Sequence, residues 1–298
     1  MNKITIGSDP EFIIIDPSNE WVAAGNFIDS LKMVRCPDYT GRTISCENTC
    51  TANNPFCYTK DLSSGYRHTV SPQIGQDCGL GELRPLPGET PMEHLNNIQK
   101  LFNQINLPDG YKAYAGTIFS GMAMGGHIHI GAFKINTNDK LYETNYEIYV
   151  RLCERNRGLS NYLSYFCGIP LRKIEDKKDL KFRGLEPGVF GYYGSYDSKP
   201  YGLEWRMPAS WLCDKKITLS ALSLSYVCAQ EFVKNPKYMA ITNSAYKALV
   251  GGDISNIISS IEKMEYYKYY SKEIEPLLQM IANKETWDVH QNILEEWC

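Results

Sequence analysis

The chain has 298 residues, 43 % of them hydrophobic and 22 % charged, with a formal net charge of −3 when the histidines are neutral. So even a balance excludes the strong basic field that nucleic acid requires, and no charged tail is visible. No stretch approaches the ~18 consecutive apolar residues of a membrane span, and the opening MNKITIGSDPEF lacks the apolar core of a secretory signal, so the sequence reads as a cytoplasmic globular protein.

Residues 3–15 (KITIGSDPEFIII) read as a strand pair or a bulged strand that ends in the turn Asp16-Pro17-Ser18-Asn19. A turn-rich excursion follows over 34–81 and holds Cys36, Cys46, Cys50, Cys57 and Cys78. Cys46-x3-Cys50 with His68 nearby has a spacing that a structural Zn²⁺ uses, but no paired C-x2-C frame accompanies it, and free thiols in a loop insertion are the simpler reading. The other five cysteines lie in apolar surroundings and read as buried small hydrophobes. Gly81–Arg84 reads as a short strand closed by Pro85 and Pro87. Thr90, Pro91 and Glu93 supply an N-cap, a first-turn proline and an acidic first turn, so the spacing predicts a helix over 91–105, with Met92, Leu95, Ile98, Leu101, Phe102 and Ile105 on its apolar face.

Residues 113–133 alternate and are glycine-rich, ending in a strand over His127–Ala132. A second helix is predicted over 145–166, burying Ile148, Leu152, Leu159, Leu163 and Phe166, with Arg151, Arg155 and Arg157 on a solvated face. The Gly/Tyr-rich stretch 186–206 runs into a strand over Leu203–Met207. From 214 the periodicity is helical, broken at Pro236 and at Gly251-Gly252, and Tyr266–Tyr270 reads as a helix face against the core. His68, His94 and His290 read as surface or capping residues. The expected organisation is an α+β fold: a catalytic region over 1–213 that includes the 34–81 insertion, and a helical part over 214–298 packed on it within one structural domain.

Four of the strands carry polar residues at i and i+2, the spacing that puts both side chains on one sheet face. They are Asp9-Pro10-Glu11, Glu82-Leu83-Arg84, His127-Ile128-His129 and Glu204-Trp205-Arg206. Each alone is what the wet face of an amphipathic strand looks like. Together they repeat acid, imidazole and guanidinium and exclude lysine, which is the donor set of a metal and phosphate site. Glu11, Glu82 and Glu204, with Asp9 as a fourth carboxylate and one or two imidazoles, suit Mg²⁺ or Mn²⁺ better than Zn²⁺. Arg84 and Arg206 beside them suit a polyphosphate. Gly125, Gly126 and Gly131 around the histidines imply close backbone approach, to a ligand or to a neighbouring strand. No P-loop, dinucleotide fingerprint or nucleophile elbow is present.

At GSDPEF (7–12), GELRP (81–85), GGHIHIG (125–131) and KPYGLEWR (199–206) the sequence resembles the carboxylate–amine ligases (amidoligases) of the glutamine-synthetase-like superfamily, most of all their phage-associated type-2 branch. The resemblance covers about 7–212 in the same order along the chain; the cysteine-rich stretch departs from the family pattern, and the helices after 213 are unaccounted for. It implies a curved antiparallel sheet with helices outside, and ATP-dependent amide formation through an acyl phosphate with two Mg²⁺ or Mn²⁺ ions. Glu11, Glu82, His127 and Glu204 then become metal ligands, with Asp9 beside them, and Arg206 faces phosphate or the acyl group. Arg84 and His129 take a place in the pocket. Lys199, just before the last strand, and Arg183 are added here as contacts to ATP, from the affinity of such cations for phosphate. Partners are then small-molecule or peptide carboxylates and amines, with no nucleic acid or membrane, in a host cytoplasm if phage-encoded and in an oligomer if it assembles as superfamily members do. Two other readings stay open on the residues alone: a metal-dependent hydrolase of an anionic substrate, and a non-catalytic binding protein on the same scaffold.

Overall fold

A computed structural model describes residues 4–28, 34–35, 69–70, 74–119, 121–135, 142–144, 156–175, 190–199, 201–237, 239 and 242–297. The cysteines at 36, 46, 50 and 57, His68, Arg151, Arg155, Arg183 and most of the excursion therefore lie outside the described residues, and the zinc expectation with them.

Residues 5–15, with Thr5, Gly7, Asp9 and Glu11 on one face, Ile6, Ser8, Pro10 and Phe12 on the other, and isoleucines from 13 on, form one long strand, β1 (Thr5–Ile15), in place of a strand pair. Seven further strands join it: β2 (Trp21–Val22), β3 (Ile74–Asp77), β4 (Leu80–Leu83), β5 (Lys112–Tyr114), β6 (Gly126–Gly131), β7 (Tyr196–Lys199) and β8 (Gly202–Trp205). The sheet order is β7-β8-β6-β1-β4-β3, with β2 and β5 on the C-terminal end of β1, and every pairing is antiparallel. Pro10 is tolerated in mid-strand. Ile6 N–H bonds away from β6 to Gly88 and Glu11 N–H toward it to Gly125, so alternation places the missing donor of Pro10 on the side away from β6.

One face of this sheet is apolar. Ile6, Phe12, Ile14, Leu83, Ile128, Ile130, Leu203 and Trp205 all enter the main core, against α1 (Pro91–Phe102), α2 (Asn156–Leu163) and α4 (Lys215–Lys234). The α+β fold with an antiparallel sheet and helices packed outside is thus the observed one. Helix α1 starts as predicted: the Thr90 hydroxyl accepts the Glu93 N–H at 3.2 Å. It stops at Phe102, short of 105, where Ile105 N–H turns back to the Phe102 carbonyl, and Met92 is exposed. The second helix continues past 166. A π-helical turn at Ser164–Gly168 leads into α3 (Ile169–Ile174), and Pro170 falls in the first turn of α3, where a missing N–H does no harm. Leu159, Leu163 and Phe166 are buried there, and Arg157 is exposed.

The C-terminal helices follow the predicted breaks. Asp214 caps α4 by accepting the Lys216 and Ile217 N–H groups at 2.6 and 2.9 Å, and the helix ends at Lys234, before Pro236. α4 is buried on nearly all sides, and its Ser220 hydroxyl lies within hydrogen-bond distance of the Lys216 carbonyl one turn back (2.9 Å) and of the Glu273 carbonyl on the helix packed against it (2.6 Å). Helices α5 (Asn243–Leu249) and α6 (Ser255–Glu262) flank Gly251-Gly252, and α7 (Tyr267–Asn283) packs on α4. Tyr266 is buried and Tyr267 and Tyr270 pack on the core, while Tyr269 is exposed. The short α8 (Ile293–Trp297) closes the core, Trp297 stacking on Phe102 with ring centroids 4.6 Å apart. Cys167, Cys213 and Cys228 are buried and Cys78 is exposed.

His94 corrects an expectation: it is fully buried, because it shares the stripe of Pro91, Ile98 and Leu101 on α1. Its Nδ1–H donates to the Leu86 carbonyl at 2.9 Å and its Nε2 accepts the Ser8 hydroxyl at 2.7 Å, tying α1 to β1. His290, by contrast, is exposed as read. Burial pushes the His94 imidazole down to about 4 from an ordinary 6.5. The unfolded chain therefore binds a proton here that the folded chain refuses, and stability present above about 6.5 is lost as pH falls toward about 4. Over that interval the wild-type unfolding free energy is expected to fall by on the order of 3 kcal/mol more than that of His94→Gln, measured by urea titration at each pH; parallel curves would contradict the assignment.

Candidate active site

The opposite sheet face carries the polar set. The register places Asp9 across from His127, Gly7 and Glu204 on either side of His129, Glu11 across from Glu82, and Asp197 across from Glu204. Directly opposed residues in antiparallel strands share a face, so Asp9, Glu11, Glu82, His127, His129 and Glu204 converge from four segments far apart in sequence. Farther along β1 the same face turns apolar: Ile13 and Ile15 pack with Leu80, Tyr114 and Met124 in a second small cluster that borders the acids.

Two groups of side chains form. In the first, His129 Nε2 lies 3.0 Å and His127 Nδ1 3.3 Å from the same oxygen, Asp9 Oδ1, and His127 Nδ1 is 3.4 Å from Glu204 Oε1. Both Glu204 oxygens meet cations, Lys199 Nζ at 2.6 Å and Arg206 at 3.0 Å, while Lys199 also reaches Asp197 at 2.8 Å. Tyr201 stacks on His129, and its hydroxyl lies 2.6 Å from Nδ1. In the second group the Glu11 carboxylate accepts the Gly125 N–H at 2.5 Å and Glu82 pairs with Arg84. Glu11, Glu82 and Glu204 are buried, and Arg206 stands exposed at the rim.

The paired glycines serve the protein's own atoms. A side chain at Gly125 would collide with the His127 ring, and one at Gly126 with the Ala209 carbonyl and Trp211. The ring of His127 is thereby held beneath the Gly125 backbone, whose N–H holds Glu11.

The charges conflict as they stand. Burial pushes Glu82 up to about 8, with Asp9, Glu11 and Asp77 adding to it against Arg84. Burial likewise raises Glu11, helped by Asp9 and Asp77 and opposed by His127 and the Gly125 N–H. At Asp9 burial is outweighed by His129 and His127, which hold the carboxyl well below the usual range. At His127 burial is outweighed by Asp9, Glu11 and Glu204, which raise it. Lys199 is raised because Asp197 and Glu204 overcome its desolvation. Buried carboxylates in excess over fixed cations form a donor set that fits a hard divalent cation. Asp9, His129 and Glu204 each offer a ligand atom, and the three atoms lie within 4.8 Å of one another. No helix among the described residues is long and apolar enough to cross a membrane.

Of the residues singled out from sequence, Asp9, Glu11, Glu82, Arg84, His127, His129, Lys199, Glu204 and Arg206 belong to this face, and Arg183 lies outside the described residues. Tyr201, Asp197, Asp77 and the Gly125 N–H were missed. Asp197 and Asp77 obey the same alternation that flagged the others, Asp197 two residues before Lys199 and Asp77 two after Gly75, which faces Glu82. Nothing in the sequence announces the Tyr201 contact, although the residue sits inside KPYG.

Carboxylates and imidazoles suited to cations thus stand next to Lys and Arg side chains suited to anions. The chain belongs to the family described as phage phiEco32-like COOH.NH2 ligase-type 2, which matches residues 45–298. The matched range takes in the C-terminal helices, which the sequence resemblance left unaccounted for, and spans the cysteine-rich stretch from residue 45; it begins after β1, so Asp9 and Glu11 precede it. The chain is similar to a solved bifunctional glutathione synthetase from Pasteurella multocida (TM-score 0.42, 9 % identity), covering 98 % of this chain and 48 % of that one. It is also similar to a solved novel glutamine synthase homolog (TM-score 0.39, 10 % identity), covering 95 % of this chain and 65 % of that one. No curated protein matches the chain.

For a raised carboxyl the sign is that stability present below the ordinary 4.5 is lost as pH rises through about 8. In EDTA at pH 8, Glu82→Gln is therefore expected to melt several degrees above wild type, the gap shrinking toward pH 5. Millimolar Mn²⁺ is expected to raise wild type more than the variant. A variant that melts below wild type in EDTA at pH 8 would contradict this electrostatic account.

Proposed function

We propose that this face joins a carboxylate to an amine at the expense of ATP. The γ-phosphoryl group passes to a carboxylate oxygen, giving an acyl phosphate and ADP; the amine nitrogen then attacks the acyl carbon, expels phosphate and loses a proton. The observation that carries this reading is the convergence of four carboxylates and two imidazoles with Lys199, Arg84 and Arg206 on a single sheet face. Membership of a carboxylate–amine ligase family supports it.

In this reading Asp9, His129 and Glu204 would hold one divalent cation and Glu11, Glu82 and His127 a second, Mg²⁺ or Mn²⁺. Such ions would offset the charge of the transferred phosphoryl group. Lys199 and Arg206, which sit on the two oxygens of Glu204, turn from that carboxylate to the phosphates as ATP enters, and Arg183 adds a further cation. Arg84 orients the carboxylate substrate beside Glu82. No Ser or Cys nucleophile is required, because the residues act by positioning and charge neutralisation.

The test is ADP release with Mg²⁺, ATP and a panel of carboxylates and amines, with products identified by mass spectrometry. Glu204→Ala and His127→Ala are each expected to lower turnover about 10²-fold or more, the scale of losing one preorganised charged group. Saturating Mg²⁺–ATP is expected to stabilise the wild type by about 2.7 kcal/mol at 100 times its Kd. Unchanged turnover in both variants, or hydrolysis of an anionic substrate with no response to ATP, would overturn the proposal.

A further inference from the structure

We propose that Tyr201 is a positioning residue for cation binding: its phenol fixes the His129 ring so that Nε2 faces Asp9 and Glu204. The inference rests on the reading of this face as a cation site and adds a residue to it.

The placement of Tyr201 is set by backbone. Its carbonyl accepts the Ala132 N–H at 3.0 Å, anchoring the turn between β7 and β8 to β6. The next residue, Gly202, has φ +152° and lies against the Ile130 carbonyl so closely that no side chain fits there. From this fixed point the buried Tyr201 ring lies nearly parallel to His129, with centroids 5.7 Å apart and planes at 19°. A half-turn of the imidazole would exchange its nitrogens for carbons at Asp9 and at the phenol. The 2.6 Å hydrogen bond to Nδ1 on one side and the 3.0 Å approach of Nε2 to Asp9 on the other select a single orientation.

A phenol suits this task better than a carbonyl or carboxylate, which only accept. When Nε2–H donates to Asp9, the Tyr201 hydroxyl donates to Nδ1. When Nε2 offers its lone pair to a cation, Nδ1–H donates to the same phenol oxygen. Tyr201 thus holds the ring in both tautomers, the role that outer partners play for metal-binding histidines. His127 is held differently, by the Gly125 backbone above its ring, and presents Nδ1 to the same Asp9 oxygen. The two imidazoles therefore need separate supports.

Tyr201→Phe keeps the stacked ring and removes only the hydroxyl. Mn²⁺ dissociation constants of the full-length chain, measured without nucleotide by calorimetry and by the EPR signal of free Mn²⁺, are expected to rise about 10- to 100-fold in this variant. Its metal-free melting temperature is expected to fall by only a few degrees. Equal Mn²⁺ affinity in wild type and Tyr201→Phe would overturn the inference while leaving the cation site intact. So would weak binding in Tyr201→Leu together with normal binding in Tyr201→Phe, which would place the effect in the stacked ring. Absence of Mn²⁺ binding by the wild type itself would overturn the cation reading of the face and this inference with it.

Discussion

The register of β1 against its neighbours is the constraint on which everything else rests. Because side chains alternate across a strand, slipping β1 by one residue against β6 would carry Asp9 and Glu11 into the core and bring Ile6 and Phe12 to the wet face. The apolar face forbids that slip. Ile6, Phe12, Ile128, Ile130, Leu203 and Trp205 are all fully buried under the helices, and exposing even one such side chain costs about 1.5–3 kcal/mol. The same burial that drives folding therefore aligns Asp9 with His127, Glu11 with Glu82 and His129 with Glu204, and the site inherits its geometry from the core behind it.

What the core cannot do is make that geometry electrostatically comfortable. Glu11 and Glu82 oppose one another in a buried position, and Asp9 sits two residues away on the same strand. The fold tolerates this with local devices: the Gly125 N–H on Glu11, Arg84 on Glu82, two imidazoles on one oxygen of Asp9, and Lys199 with Arg206 on Glu204. These are partial solutions, as the raised Glu11 and Glu82 carboxyls attest. A protein shaped only for stability would place apolar residues there. Retained strain of this kind marks positions kept for chemistry.

Much of this was legible in the sequence because strand periodicity is a local property. The acid, imidazole and guanidinium residues at i and i+2 announce which side chains share a face before any partner strand is known, and Asp197 and Asp77 would have followed from the same rule applied once more. The cap of α1 and the breaks at Pro236 and Gly251-Gly252 are local too. The rest depends on partners remote in the chain. The burial of His94 is decided by Ser8 and the Leu86 carbonyl, and Tyr201 acquires a role only because the β7–β8 turn folds over His129. The glycines of GGHIHIG imply crowding, but only the structure tells that the crowding atoms are the His127 ring and the Ala209 carbonyl. Helix α3 escaped the periodicity because a π-helical turn shifts the phase just before Pro170.

The proposed function requires that this polar face gather divalent cations around the phosphates of ATP. Anomalous scattering from crystals grown with Mn²⁺ and a non-hydrolysable ATP analogue reads it directly. The account predicts manganese peaks at bonding distance from Asp9, His129 and Glu204 and from Glu11, Glu82 and His127, with the analogue's phosphates beside Lys199 and Arg206. Ordered manganese and nucleotide elsewhere on the molecule, with these side chains untouched, would contradict it.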